Sequence, residues 1–300
     1  MIFAGVDPGT ETYAVAFIDE VGRLVRYEEV PTESVKKGAL SLVKGIQNLR
    51  PALVALPSGH GMPFLRNREI DQRAVFLMTL QDPQVEGPLR SFLLASKTYT
   101  NVFTVPGVIE LKSVPEYRKV NSLDMGTADK VCSAFFYRTM FRDFVLVEMG
   151  RHFSSIITVR EGYIINGIGG TVIPGLESPG ALDGEIAYLL GKLSHITKET
   201  VYTRGDERKS LEIIEGIASY LSWKFSCPII VSGPAKDALR IGEKFHFRFK
   251  EAAVGAAMIA NALGGGLYRE HAVMLESDNT PISFVKLKGW EEVVSWIETL

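Results

Sequence analysis

Cysteine and histidine are scarce in this 300-residue chain: two Cys, at 132 and 227, and five His. Both cysteines sit in apolar runs, so buried thiols in a reducing compartment are expected, and a disulfide framework is excluded. No Cys/His spacing of a zinc site occurs and no His-x-x-x-His pair, which excludes a zinc centre built on a sequence motif. Charge of one sign is lacking too, since 33 Lys and Arg against 35 Asp and Glu leave a net charge of −2. Such a chain has no general pull toward nucleic acid or an anionic membrane. Long hydrophobic runs are also missing. The longest stretch of small apolar residues, Ala252–Leu263, is Gly-interrupted and too short to span a bilayer. A strand-like run begins at Ile2 with no charged-then-apolar leader before it, so a cytoplasmic protein without nucleic-acid or membrane partners is expected.

What is present is a repeated plan. Ile2–Arg26 reads as strand, an Asp7-Pro-Gly9-Thr10 turn, strand, a tight Val21-Gly22 turn, and strand. Phe144–Thr171 reads the same way, with Glu148-Met-Gly150 at the first turn and Gly169-Gly170 closing the set. The copies start about 140 positions apart, a spacing of duplicated domains and not of solenoid repeats. Glycines at such turns let backbone N–H groups approach an anion, and a neighbouring carboxylate can hold a hydrated divalent cation. Two such turns facing each other across a cleft would suit a nucleoside triphosphate with its metal.

The rest of the chain fits two α/β halves. Ser34–Leu49 carries a helical apolar stripe that stops before Pro51, Ala52–Leu56 reads as a buried parallel strand, and Asn101–Val105 as a fifth strand. Thr127 is placed to cap a helix whose apolar face runs from Ala128 to Met140, with Asp129 in its first turn. Asp129 is then either a capping acid or a functional carboxylate. Lys130 either contacts phosphate or points to solvent. Pro57–Thr100 reads two ways: as a substrate lid whose Arg66, Arg68, Arg73 and Arg90 clamp an anion, or as a helical insertion with a basic solvated face. His60 sits there in a Gly-flanked loop. Farther on, Leu211–Phe225 is an amphipathic helix, Pro228–Ser232 a buried strand entering a glycine turn and a new helix, and Glu251–Leu263 a helix lined with small residues. The tail beyond Gly266 carries one amphipathic piece, Trp290–Ile297, read as packing.

These motifs carry a resemblance. Asp7-Pro-Gly-Thr10 and Glu148-x-Gly-x-x-Phe-Ser-Ser155 resemble the two phosphate loops of the superfamily containing acetate kinase, sugar kinases, heat-shock chaperones and actin. Gly169–Gly184 is similar to the segment after the second phosphate loop of acetate and butyrate kinases, and residues 1–265 resemble an archaeal family described as predicted butyrate kinases. The resemblance implies two ribonuclease-H-like domains of duplicated βββαβαβα order with a nucleotide cleft between them: 1–124, with an insertion at about 57–100, and 125–300, comprising a crossover helix, the second domain and a tail. It implies ATP and Mg²⁺ as cofactors, with phosphate held around Gly9, Thr10, Gly150, Ser154, Gly169 and Gly170. Adenosine would lie against Ser232, Gly233 and Pro234 and the helix at Gly255. Asp7 and Glu148 would hold the metal; Asp129, with Asp124 as second candidate, would face the acceptor. Three features depart from the pattern: Glu148 stands where Asp is usual, Leu176–Asp183 holds no arginine, and the substrate-side histidine of acetate kinases is missing near Asp124–Lys130. The implied activity is phosphoryl transfer to a small acceptor, first a short carboxylic acid; the alternatives are an alcohol kinase of the type III pantothenate kinase kind and a nucleotide-gated ATPase acting on a protein partner. A homodimer stays open.

Overall fold

Both halves of the chain open on a three-strand antiparallel meander. The structure, a computed structural model, describes residues 1–57 and 59–300; Ser58, inside the Pro57–Pro63 loop, lies outside the described residues. In the first half β1 (Ile2–Pro8), β2 (Thr12–Asp19) and β3 (Leu24–Pro31) form the meander, and α1 (Thr32–Asn48) crosses to β4 (Leu53–Pro57), which joins β1 in parallel. Helices α2 (Gln72–Thr79) and α3 (Pro88–Ser96) precede β5 (Val102–Val105), parallel to β4. Next come α4 (Glu116–Lys119) and α5 (Ala128–Arg138). The second meander is β6 (Phe144–Met149), β7 (Ser154–Arg160) and β8 (Tyr163–Ile168). Helices α6 (Gly184–Leu193), α7 (Lys198–Tyr202) and α8 (Glu207–Phe225) lead to β9 (Ile229–Ser232) and β10 (Glu243–Lys244), and α9 (Glu251–Leu263) and α10 (Trp290–Ile297) finish the chain. The sheet orders are β3-β2-β1-β4-β5 and β10-β9-β6-β7-β8, so β6 stands in the second sheet where β1 stands in the first. This is a duplicated pair of ribonuclease-H-like α/β halves with a cleft between them.

Local chemistry explains the turns. Type I′ hairpins need φ > 0 at both central residues, and the β7–β8 hairpin supplies Glu161 at 51° and Gly162 at 79°. After β9 the expectation of a new helix fails. Gly233 turns the chain at φ +91°, but only a single 3₁₀ turn forms, at Lys236–Ala238, and the two-residue β10 comes after it. The helical spacing of Ala235, Ala238 and Leu239 lasts little more than one turn before Gly242, at φ +79°, turns the chain, and Leu239 and Ile241 reach the outer cluster of the second sheet without a longer helix.

Three apolar clusters stack the layers. One lies outside the first sheet under α1, α2 and α3, one outside the second sheet under α8, and the largest lies between the sheets around α5 and α9. Helix α9 packs on β1 and β2 although it comes after the second sheet in sequence, and Ile282, Trp290 and Ile297 of the tail join the outer cluster of the first sheet. Two glycines permit the central packing: a Cβ at Gly5 of β1 would overlap the α9 backbone at Ala253–Ala257, and a Cβ at Gly255 of α9 would overlap the Cys132 carbonyl of α5.

Two outcomes are expected. Gly255→Val should destabilise the fold by at least about 3 kcal/mol, the scale of severe overpacking. Gly45→Ala, on exposed α1 with no neighbour to meet its Cβ, should stabilise by up to about 1 kcal/mol. Denaturant midpoints read both, and a tolerated Gly255→Val would contradict the close crossing.

Glu110 gives a pH signature. It is fully buried, its Oε2 accepts the Gly107 amide at 2.7 Å, and burial pushes its carboxyl up to about 8 from 4.5. Between those values the folded protein holds a proton that the unfolded chain has lost, so this residue's contribution to stability falls as pH rises through the window and is level above it. Glu110→Gln should therefore gain most over wild type at pH 8 and little at pH 5. Parallel stability curves for the two proteins from pH 5 to 8 would refute this.

Candidate functional site

Between the sheets lies a cleft of about 220 Å³, lined by residues from both halves. Pro8, Gly9 and Thr10 come from the β1–β2 turn, Phe153, Ser154 and Ser155 from the β6–β7 turn and the start of β7, and Gly170 from the end of β8. Asp124, Gly126, Thr127, Asp129 and Lys130 come from the approach to α5 and its first turn, and Pro57, Gly59 and Leu89 from the β4 end and the insertion. The structure thus brings Gly9, Thr10, Asp124, Asp129, Ser154 and Gly170 to one place.

Asp7 and Glu148 stand at equivalent positions near the ends of β1 and β6, beside the residues that line the cleft, 7% and 9% exposed. Lys130 stands between the halves. Its Nζ is 2.5 Å from Asp129 Oδ2 and 2.9 Å from Glu148 Oε1. It is half-buried in the cleft wall, the shared counter-ion of two acids. Lys250, the residue before α9, reaches the first turn from the other side: its Nζ donates to the Thr12 carbonyl at 2.8 Å and lies 3.6 Å from Asp7 Oδ2. Burial, then the Asp129 charge, push Asp7 up to about 6 against the pull of Lys250 and Lys130. Burial likewise pushes Glu148 up to about 7, opposed by Lys130. Asp129 goes the other way. Burial would raise it, but Lys130 and the Thr127 hydroxyl more than offset that and hold it below the usual carboxylate range.

Several expectations need correction. Thr127 occupies the N-cap position without a side-chain capping bond, because its hydroxyl donates to Asp129 instead. The Gly9 and Gly150 amides are already engaged, donating to Asp7 O and Phe153 O at 3.0 Å each. These glycines close their turns. Gly169 is buried against Gly126 and does not line the cleft, whereas Gly170, with φ +58°, lies against the Asp124 carboxylate and does line it. Ser232, Gly233 and Pro234 lie behind the second turn, where a Cβ on Gly233 would overlap the Met149 backbone. Gly255 does not face the cleft at all; the α5 crossing encloses it. The arginine clamp does not form either. Arg66 and Arg68 are exposed, and buried Arg90 donates to Gln81 O at 3.2 Å and Asp82 O at 3.3 Å, so the insertion is a helical layer packed on α1. His60 anchors its loop through its amide to Met78 O at 2.9 Å. Its Nδ1 is buried without a partner among the described residues, and burial lowers its pKa against the pull of Asp124, keeping the ring neutral.

Sequence reasoning missed Lys250 and the part Lys130 plays. The available signal was the alternation Phe245-His-Phe-Arg-Phe249 just before Lys250, an extended-chain pattern. Those rings stack in a column, with centroids 6.0 and 5.0 Å apart, and carry the chain from β10 to the first phosphate turn.

Lys130→Met should leave buried acids without their counter-ion. A loss on the order of 3–5 kcal/mol is expected, the scale measured when one partner of a buried ion pair is removed. Denaturant titration reads it, and a loss under about 1 kcal/mol would show that the lysine is not the counter-ion of this cluster.

Comparisons with known proteins bear on the fold. Similar solved structures include a propionate kinase from Francisella tularensis subsp. tularensis SCHU S4, 11% identical with a TM-score of 0.51, covering 78% of this chain and 84% of that one. Acetate kinase from Entamoeba histolytica is 8% identical with a TM-score of 0.48, over 79% and 83% of the chains. A ROK family glucokinase from Streptomyces griseus is 15% identical with a TM-score of 0.42, over 86% and 98%. At these identities the likeness concerns architecture alone, and the propionate kinase match agrees with the duplicated α/β halves. No curated protein matches the sequence. Among the described residues no helix is long and apolar enough to cross a membrane. The family described as protein of unknown function (DUF1464) matches residues 5–287, and the chain belongs to that family.

Proposed function

We propose that the cleft binds ATP with Mg²⁺ and transfers the terminal phosphoryl group to a small acceptor. One observation carries this reading. Two duplicated acid-x-Gly turns converge on a cleft whose lining residues Ser154 and Ser155 have buried Oγ atoms with no hydrogen-bond partner among the described residues, and Glu148, beside the lining Lys130, has a buried Oε2 in the same state. Buried groups left unpaired cost about 1–3 kcal/mol each, and two in the cleft with a third next to it call for a polar ligand. The residues also fit a divalent cation. Asp7 and Glu148 are two carboxylates whose ionised forms are disfavoured by burial, and one of their oxygens has no partner. Among the described residues no group of three metal-ligating side chains forms, which suits Mg²⁺, a cation that usually takes one or two carboxylates and completes its shell with water and phosphate. Bound there, it would neutralise charge on the transferring group.

The chain's own residues then divide the work. Ser154, Ser155 and the Thr10 amide would donate to phosphate oxygens, Lys250 would hold Asp7 and the first turn, and Lys130 would fix Asp129. The acceptor side carries Asp124 and Asp129 beside Leu89 and Phe153. Among the described lining residues Lys130 is the one cation, and two carboxylates already share it. A carboxylate acceptor would enter against like charge with no guanidinium to receive it, whereas a neutral hydroxyl can donate to Asp129 or Asp124. The geometry therefore favours a hydroxyl acceptor over the short carboxylic acid implied by resemblance. Asp129 would orient that hydroxyl and take its proton in the transition state.

Two experiments test this. Ser154→Ala/Ser155→Ala should be at least as stable as wild type without ligand yet bind Mg-ATP roughly 10²–10⁴-fold more weakly, since each of the two hydrogen bonds to a charged group contributes about 1.5–3 kcal/mol. Equal thermal shifts with Mg-ATP in both proteins would remove these hydroxyls from the site. In a screen of acceptors, neutral hydroxyl compounds should stimulate turnover, and Asp129→Asn should lower kcat about 10²-fold or more with nucleotide affinity intact. Trapping of an acyl phosphate by hydroxylamine from a short carboxylic acid would overturn the hydroxyl reading.

A further inference from the structure

Helix α6, like the short α7 after it, buries nothing. It is ten residues long, Gly-Glu-Ile-Ala-Tyr-Leu-Leu-Gly-Lys-Leu, well capped by Asp183, whose Oδ1 accepts the Glu185 and Ile186 amides at 2.9 and 3.2 Å. Yet none of its residues is buried. Ile186 is 50% exposed, Leu189 52% and Leu193 79%. These three keep helical spacing and form one exposed stripe; the half-buried Ala187 and Leu190 run along one flank of it, where the helix rests on the body, and Glu185 and Lys192 along the other. An ordered, capped helix with its apolar stripe turned to solvent is the mark of a contact surface.

The charges flanking the stripe specify what covers it. Glu185 and Lys192 lie seven positions apart on the same flank, at opposite ends of the helix, and among the described residues neither makes an ion pair within the chain. When two copies of one helix pack antiparallel about a two-fold axis, each flank meets its own counterpart with the ends exchanged. Glu185 of one copy then faces Lys192 of the other, twice over, while the Ile186, Leu189 and Leu193 stripes meet between them. Parallel pairing would set this charged flank against the Leu190 side and leave both charges unmatched. The surface is thus complementary to itself in one orientation, the requirement of an isologous contact. We infer that α6 is the core of a two-fold homodimer contact, with a second copy of this chain packed antiparallel on it. This goes beyond the proposed chemistry and does not depend on it. A helix of this length covers less than the ≈ 800 Å² per partner of a standard interface, so the association should depend on protein concentration.

Sedimentation velocity over about 1 μM to 1 mM protein tests it, a span chosen to bracket weak-to-moderate association. The wild-type chain should move from monomer to dimer across the series. Leu193→Glu should remain monomeric throughout with an unchanged melting temperature, since that side chain packs on nothing within the chain. Glu185→Lys and Lys192→Glu should each weaken the dimer at least about tenfold by setting like charges opposite one another. The double reversal should return to within about threefold of wild type, because it restores both pairs. A monomer at every concentration would overturn the inference, as would a dimer indifferent to Leu193→Glu. Failure of the double reversal to restore association would exclude the antiparallel pairing.

Discussion

Everything in the cleft depends on how closely α9 approaches its two neighbours. A helix carrying ordinary side chains would hold the first sheet and α5 farther apart. Here Gly5 lets the α9 backbone lie on β1, and Gly255 lets it lie on the Cys132 carbonyl of α5. The sheets are drawn in by the same amount, so the first turn of α5 arrives between the two acid turns instead of beside one of them. Three carboxylates and two ammonium groups from four separate stretches of chain then share a volume where water is scarce.

Electrostatics in that volume have one centre. Asp7 and Glu148 are buried and Asp129 is half-buried, and the low dielectric makes their mutual repulsion expensive. Lys130 touches two of them, and Lys250 lies against the third. The split in protonation arises from those contacts. Asp129 has both the lysine and the Thr127 hydroxyl and stays ionised, whereas Asp7 and Glu148 are left partly uncompensated and rise. Asp129 is thus set apart from the other two acids by its neighbours and by its greater exposure, 24% of its side chain against 11% for Glu148 and 10% for Asp7.

The parts of this arrangement that are local in sequence are legible from the residues alone. Runs rich in Val, Ile and Phe and bounded by glycine or charged residues identify β1, β2, β6, β7 and β8, and the acid-x-Gly turns expose the duplication. Asp124, Asp129, Ser154 and Gly170 fall together because turns and helix starts in this strand order point the same way. What escaped depends on partners far off in the chain. Nothing near Lys130 announces Glu148, and nothing near Lys250 announces Asp7. The arginines of the insertion show the opposite error: a cluster in sequence that folding disperses, with Arg90 held by nearby carbonyls and Arg66 turned to solvent. The missing helix after Gly233 has the same origin, because a glycine turn says where a strand ends but not which element the chain forms next.

The aromatic column before α9 has a mechanical consequence. Phe245, Phe247 and Phe249 lean on Phe136, Tyr137 and Phe141 of the second half, and Tyr137 also donates to Glu251 at 3.0 Å. The far end of this strap reaches the first half through the Lys250 ammonium and through the Lys250 amide, which donates to the Tyr27 hydroxyl oxygen at 3.0 Å. The far end has ring contact too, since Phe249 meets the Tyr27 ring edge-on, and the next residue opens α9, which lies on β1. Held at both ends, the strap acts as a tie rod: a load that pries the halves apart passes through the residue that steadies Asp7, so the charge at the first turn is coupled to the spacing of the halves.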